Sequence, residues 1–269
     1  EFAALYFHDQ APNVALSPPW QALACLSEGS TGFPALGGHQ CQFLNDTDAM
    51  VDAMVSDIGL AQRSVVLEFY IIEPKGKVVQ VLEALEAAAM RGVRCEVLAD
   101  GIGSAQFFST VWYSRLKKSG VLMHQSLSIG LLKAVLVRSD LRNHRKLLVV
   151  DETLAYTGSY NLVDPEVFKQ GAGFGQWVDM MVRLQGPVAL HLLAMFYADV
   201  AVEKRNYFNE VKQLWQERWQ YVQPLSVQAA LAPSVVQALP SSPDQNHYVF
   251  YEALICALHL AQHSVVMTT

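Results

Sequence analysis

Charge is scarce in this sequence of 269 residues: charged side chains make up 16% and hydrophobic ones 52%. That balance excludes a disordered or collagen-like chain, and the length suffices to bury a substantial core. A net charge of −6 offers no global basic signal for nucleic acid. Four cysteines (Cys25, Cys41, Cys95, Cys256) lie far apart and form no CxxC. This speaks against a disulfide framework or a cysteine zinc site, and reads them as small buried hydrophobes. No apolar run reaches the roughly 18–20 residues a membrane span needs. The nearest, Pro187–Val202, is interrupted by His191 and Asp199. The sequence shows no signal peptide, and it opens on Glu1 rather than Met, as a piece of a longer protein would.

The little charge present is uneven. Between Gly101 and Val150 stand eight basic residues and one acid, Asp140, so the remaining residues are strongly acidic. A basic window on an acidic protein suits an anionic ligand or surface, although a solvated loop would look the same.

The chain also repeats itself at an offset of 200. Ala53, Leu60, Ala61, Gln62, Ser64, Val65 and Val66 recur as Ala253, Leu260, Ala261, Gln262, Ser264, Val265 and Val266. Each copy reads as a helix followed at once by a strand. In the first, Asp46 or Thr47 can cap the helix. Met50, Met54, Ile58 and Ala61 run down one face, and Val65–Ile72 is rich in strand formers.

The following pattern alternates. Val78–Met90 reads as a helix, Val93–Ala99 as a strand, part of Gln106–Lys118 as a helix and Val121–His124 as a strand. Leu147–Val150 and Leu154–Thr157 read as a strand pair, Trp177–Val182 as a strand and Pro187–Lys204 as the longest helix. Alternating helices and strands predict an α/β fold, a mixed sheet flanked by helices. Four stretches are expected: an N-terminal segment (1–35), a complete α/β domain (36–222), a Pro- and Ala-rich linker (223–245) and the start of a second copy (246–269).

One motif carries chemistry. Around residue 144 the chain reads LRNHRKLLVVDETLAYTGSYNLVDP, that is H-x-K-x4-D-x6-G-S-x-N. His144 and Lys146 alternate along an extended segment and so share a face, as does Arg142. Cleaving a phosphodiester without a metal needs a neutral nucleophile, cationic donors for the non-bridging oxygens and an acid at the leaving oxygen. His144 suits the nucleophile and Lys146 the cation, while Asn161 and Ser159 are neutral donors and Arg142 a further phosphate ligand. The motif resembles the catalytic motif of the phospholipase D superfamily. With LEFYII (67–72), YTGSYNLVDP (156–165) and FKQGAGFGQWVDMMVRLQGP (168–187), the chain is similar to bacterial cardiolipin synthases over nearly all of 18–269. The family usually has Met where this sequence has Tyr160.

The resemblance implies a phospholipase D-like sandwich, one complete copy plus the start of a second, with no metal and no cofactor. It implies a phosphohistidine on His144. It counts Asp151 with the catalytic motif but in a mainly structural role, a carboxylate at the phosphate being repelled by it. It puts Asp179, in GQWVD, beside the histidine, where a carboxylate accepting from Nδ1–H would set the tautomer. Glu68 stands in a strand read as buried, and a buried acid needs a partner that the sequence does not name. Asp100–Ser104 (DGIGS) reads as a turn rather than a nucleotide loop.

The implied reaction joins two phosphatidylglycerol molecules into cardiolipin and glycerol. The implied partners are anionic phospholipid (phosphatidylglycerol) and a membrane surface, with nucleic acid unlike the charge balance. Leu127–Val137, apolar with Lys133 and Arg138, reads equally as a membrane-contacting or a buried segment. Location at the bacterial inner membrane would need an anchor that this sequence does not hold. A second H-x-K is also missing: His8, His39, His124, His191, His247, His259 and His263 have no Lys two residues on. The missing motif would come from a C-terminal half or from a second copy by dimerisation, and the chain alone is expected to be inactive. Two other functions fit the same motif: a hydrolase of lipid or nucleic-acid phosphodiesters, and a non-catalytic phospholipid-binding half.

Overall fold

The computed structural model describes residues 14–126, 143–168, 176–204, 207, 209, 213, 234–241 and 248–267. Arg142 and Leu127–Val137 lie outside the described residues.

Among these residues, eight strands form one mixed sheet: β1 (Leu36–Leu44), β2 (Ser64–Phe69), β3 (Arg94–Asp100), β4 (Leu122–Ser126), β5 (Lys146–Val150), β6 (Leu154–Gly158), β7 (Met181–Gln185) and β8 (Ser234–Val236). Their spatial order is β4-β3-β2-β5-β6-β7-β1-β8. The β2–β3 and β3–β4 pairs are parallel, and the pairs from β2–β5 through to β1–β8 are antiparallel. The reading of an α/β fold with a mixed sheet holds.

Helices cover both faces, so the central strands are apolar on both sides. All six residues of β2 are buried. One core lies under α2 (Thr47–Leu60) and α3 (Val78–Met90), which pack on Val65, Leu67 and Phe69 of β2 and on Leu148 and Val150 of β5. Asp46 Oδ1 caps α2 by accepting from Ala49 N–H at 2.9 Å. Leu82 and Leu85 of α3 are fully buried, each contributing about 1.5–3 kcal/mol by burial. The other core lies under α5 (Val188–Glu203), whose apolar residues run around the helix and which packs on Val66, Leu98, Leu147 and Val149. A short α4 (Val111–Lys118) follows a 3-10 turn at Phe107–Ser109.

Four expectations shift. The strand expected at Trp177–Val182 runs from Met181 to Gln185, because it is paired there on both sides, by β6 and β1. Ser234–Val236, inside the stretch read as a linker, pairs with β1. Of the cysteines only Cys95 is buried; Cys25 is exposed and Cys41 and Cys256 are partly so, all with free thiols. Residues 264–267, read as the opening strand of a second copy, have no regular structure, since none of the described strands pairs with them.

The second copy is otherwise a helix, α6 (Val249–Leu260), which packs against α1 (Pro18–Thr31). Its Phe250, Tyr251 and Leu258 are exposed, whereas their counterparts in α2, Met50, Val51 and Ile58, are fully buried. Val266 is 90% exposed; its counterpart Val66 is 1% exposed. Among the described residues, no helix is long and apolar enough to cross a membrane.

Candidate active site

The H-x-K segment enters β5 beside the end of β2. Glu68 pairs with Leu147 and Phe69 with Lys146, so the residues just before Lys146 face those just after Phe69. There the His144 ring lies stacked on Tyr70, centroids 4.1 Å apart and planes 17° from parallel. Lys146 Nζ sits 5.6 Å from the centre of the same ring and donates to the His144 carbonyl at 2.6 Å. Tyr70 thus ties together the two residues that the motif only spaces. Sequence reasoning passed over it; an aromatic at the sheet end, in LEFYII, was the available signal.

Tyr70 is itself clamped. The DGIGS segment is a turn in which Asp100 Oδ1 accepts from Ile102 N–H at 2.8 Å and Gly103 N–H at 2.7 Å. Ser104 Oγ donates to the Tyr70 carbonyl at 2.9 Å and accepts from Ile72 N–H at 2.9 Å. A Cβ on Gly103 would lie 2.4 Å from that carbonyl, so a larger residue cannot stand there without moving the backbone. From the other side Asn161 Oδ1 accepts from Ile71 N–H at 3.1 Å, and Leu162 N–H donates to the Ile71 carbonyl at 3.0 Å. With its oxygen taken, the buried Asn161 amide keeps its NH2 group as a donor.

Ser159 follows β6. Its Oγ donates to Asp179 Oδ1 at 2.7 Å and accepts from Met180 N–H at 3.1 Å. The preceding Gly158 is needed for this approach, because a Cβ there would meet the Met180 carbonyl at 2.1 Å. The hydrogen bond expected from His144 to Asp179 is not made. Asp179 is occupied by Ser159, and the histidine ring is held by stacking instead.

Asp151 stands at the opposite end of β5, about 23 Å along an extended strand from His144. Its carboxylate accepts three backbone N–H groups, from Gln62 at 2.9 Å, Arg63 at 2.7 Å and Ser64 at 2.9 Å. The next residue, Glu152, is buried and bonded by Ser64 Oγ and Arg63 Nε. These bonds fasten the α2–β2 loop, Ala61–Ser64, in keeping with the mainly structural role expected of Asp151.

The electrostatics favour a neutral, nucleophilic imidazole. Burial and the Lys146 charge hold the His144 pKa below its ordinary value, and Asp100 opposes them more weakly. Burial also lowers the Lys146 pKa, and Asp179 counteracts it. Tyr160 is packed in the core, 1% exposed, and among the described residues its hydroxyl has no hydrogen-bond partner. Among the described residues no cluster of His, Cys, Asp and Glu has the form of a metal site.

The exposed histidine, a cation fixed beside it and a half-engaged amide form an arrangement suited to attack on a phosphodiester. Residues 54–189 match the family described as cardiolipin synthase, PLD-like domain. Cardiolipin synthase A of Erwinia tasmaniensis is 38% identical over 249 residues, covering 93% of this chain and 50% of that protein. Cardiolipin synthase A of Yersinia pseudotuberculosis is 37% identical over 251 residues, covering 91% and 49%. A solved phospholipase D family member, Nuc from Salmonella typhimurium, superposes with a TM-score of 0.41 at 20% identity, covering 68% of this chain and 95% of that one. The chain spans about half the length of the curated relatives it matches. By its match over residues 54–189 and its identity to these relatives, the chain belongs to the cardiolipin synthase, phospholipase D-like family.

Proposed function

We propose that this protein transfers a phosphatidyl group between two phosphatidylglycerol molecules, giving cardiolipin and glycerol. The observation that carries the reading is His144 stacked on Tyr70 beside Lys146, with burial and the Lys146 charge holding its pKa below the ordinary value. A ring nitrogen attacks the phosphorus of the first phosphatidylglycerol, the bond to the glycerol headgroup oxygen breaks, and that oxygen takes a proton as glycerol leaves. The primary hydroxyl of the second phosphatidylglycerol then loses a proton and displaces the histidine. Lys146 and the Asn161 NH2 group would hold the non-bridging oxygens, joined by Arg142. Asp179, which accepts from Ser159 Oγ, partly offsets the lowering of the Lys146 pKa by burial. The chemistry draws on no metal and no cofactor.

The acid that protonates glycerol must stand opposite the nucleophile. We assign it to a second H-x-K motif, from a C-terminal half or a second copy. The repeat at 250–269 supports a C-terminal half, since α6 exposes the residues that α2 buries. The substrate is anionic lipid, so the reaction belongs at a membrane surface, with the bacterial inner membrane as the proposed location.

The test is to incubate the protein, with a second H-x-K motif supplied by a C-terminal half or a second copy, with labelled phosphatidylglycerol and, in parallel, with supercoiled plasmid. Labelled cardiolipin with glycerol release supports the reading. Phosphatidic acid without cardiolipin, or nicked plasmid, would point to hydrolysis instead.

A further inference from the structure

The residues on either side of His144 reach to the opposite face of the sheet from Lys146, toward α5. Asn143 Nδ2 donates to Glu68 Oε1 and, at 3.0 Å, to Asp199 Oδ2. Arg145 Nη1 pairs with the same Asp199 oxygen, Arg145 Nη2 donates to the Ser241 carbonyl at 3.2 Å, and Arg145 N–H closes on Asn143 Oδ1 at 3.0 Å. Asn143 is thus moored to both carboxyl groups and Arg145 to Asp199.

Two carboxylates in one buried site cannot both be charged cheaply. Glu68 is 2% exposed and central in the sheet. Among the described residues its buried Oε2 has no hydrogen-bond partner. A proton on one of the two carboxyl groups would let them hydrogen-bond to each other and so account for that oxygen. The groups facing Glu68 agree. The paired positions on the neighbouring strands are Leu98 and Leu147, both apolar. Asn143 and Arg145 come from the lead-in to β5, and Asp199 from α5. Farther along β3, Glu96 is engaged by His124, Arg94 and Tyr207, which overcome its burial and hold its pKa at about 2. Lys146 projects to the other face. Burial first, then Asp199, push the Glu68 pKa well up, while Arg145 and Asn143 pull less strongly the other way.

We propose that Glu68 is a carboxylic acid sharing its proton with Asp199, and that this pair, through Asn143 and Arg145, is the positioning device for His144. Positioning matters for the reaction proposed above, and the inference rests on that reading only for its catalytic consequence. The site itself can be tested without turnover. A raised carboxyl pKa stabilises the fold fully below the unfolded value and loses that contribution as pH rises through the folded value. Glu68→Gln keeps the protonated shape and removes the titration.

The experiment follows the His144 ring resonances of the whole chain by NMR from neutral to alkaline pH, assigned with His144→Gln, beside infrared spectra of the carboxyl region and thermal melting. Wild type should show a protonated-carboxyl band at neutral pH. Its His144 resonances should shift again as Glu68 ionises, and its melting temperature should fall over the same range. Glu68→Gln should lose the band and the second shift while melting near wild type at neutral pH. In the active enzyme Glu68→Gln should retain turnover, and Glu68→Ala should lose roughly 10²-fold, the scale of a misplaced reactive group. A wild type with no protonated-carboxyl band at neutral pH would overturn the proposal, with or without a stable variant. So would His144 resonances indifferent to the alkaline transition. A protein that passes the spectroscopic tests but transfers nothing once a second H-x-K motif is supplied would refute the transferase reading and leave the carboxyl pair standing.

Discussion

His144 lies face to face with Tyr70, their ring centroids 4.1 Å apart. An aromatic pair of this kind is worth about 0.5–1.5 kcal/mol beyond the area it buries. Tyr70→Leu should therefore lower turnover by roughly 2- to 12-fold by loosening the nucleophile, and Tyr70→Phe should leave it near wild type. Steady-state transfer rates for the two variants check this; equal loss in both would assign the effect to the hydroxyl rather than to stacking.

The pH dependence follows from the charges around the imidazole. Its pKa is held below the ordinary histidine value, so the nucleophile is neutral at pH 7 and activity should fall only on acidification below about 6.5. Lys146→Met removes a lowering charge and should move the acidic limb of kcat/KM to higher pH, with roughly 10²–10³ lost in rate for the missing donor. Asp100→Asn removes the opposing charge and should move the limb to lower pH. Limbs that shift together in the same direction would contradict the assignment.

Asp151→Ala should act on stability rather than on nucleophilicity. It strands the backbone N–H groups of Gln62, Arg63 and Ser64, and losing these charge-assisted bonds should cost about 2–4 kcal/mol. Urea unfolding measures the cost, and the rate of His144 modification by diethyl pyrocarbonate in the folded variant should stay unchanged.

Tyr160 offers the opposite sign. Its buried hydroxyl lacks a partner, and removing an unsatisfied buried group recovers about 1–3 kcal/mol. Tyr160→Phe should raise the melting temperature, and a fall would mean that the hydroxyl is bonded in solution.

Much of the site was legible in the sequence because its core is local. The alternation of His144 and Lys146 and the short span to Ser159 and Asn161 need only one strand and one hairpin. The structural role of Asp151 was expected from the resemblance and from the repulsion between a carboxylate and a phosphate, but the loop it fastens was not. What escaped depends on distant pairing. Tyr70 meets His144 across the β2–β5 ladder, and Glu68 finds Asn143 75 residues along the chain. Helix α1 could have been found from Ser17 followed by Pro18 and from Gly32 past its end, where a left-handed φ of 74° favours glycine. Strand β1 carries Gly37 and Gly38, which hide its periodicity. The sequence also did not show that Ser159, adjacent across the β6–β7 ladder, donates to the Asp179 carboxylate that the resemblance puts beside His144.

The most direct test of the central claim is to quench the active enzyme during turnover of labelled phosphatidylglycerol and locate the label by mass spectrometry. An acid-labile phosphatidyl adduct on His144, absent with both turnover and label in His144→Ala, is the predicted result. A labelled intermediate on another residue, or transfer that persists in His144→Ala, would contradict it.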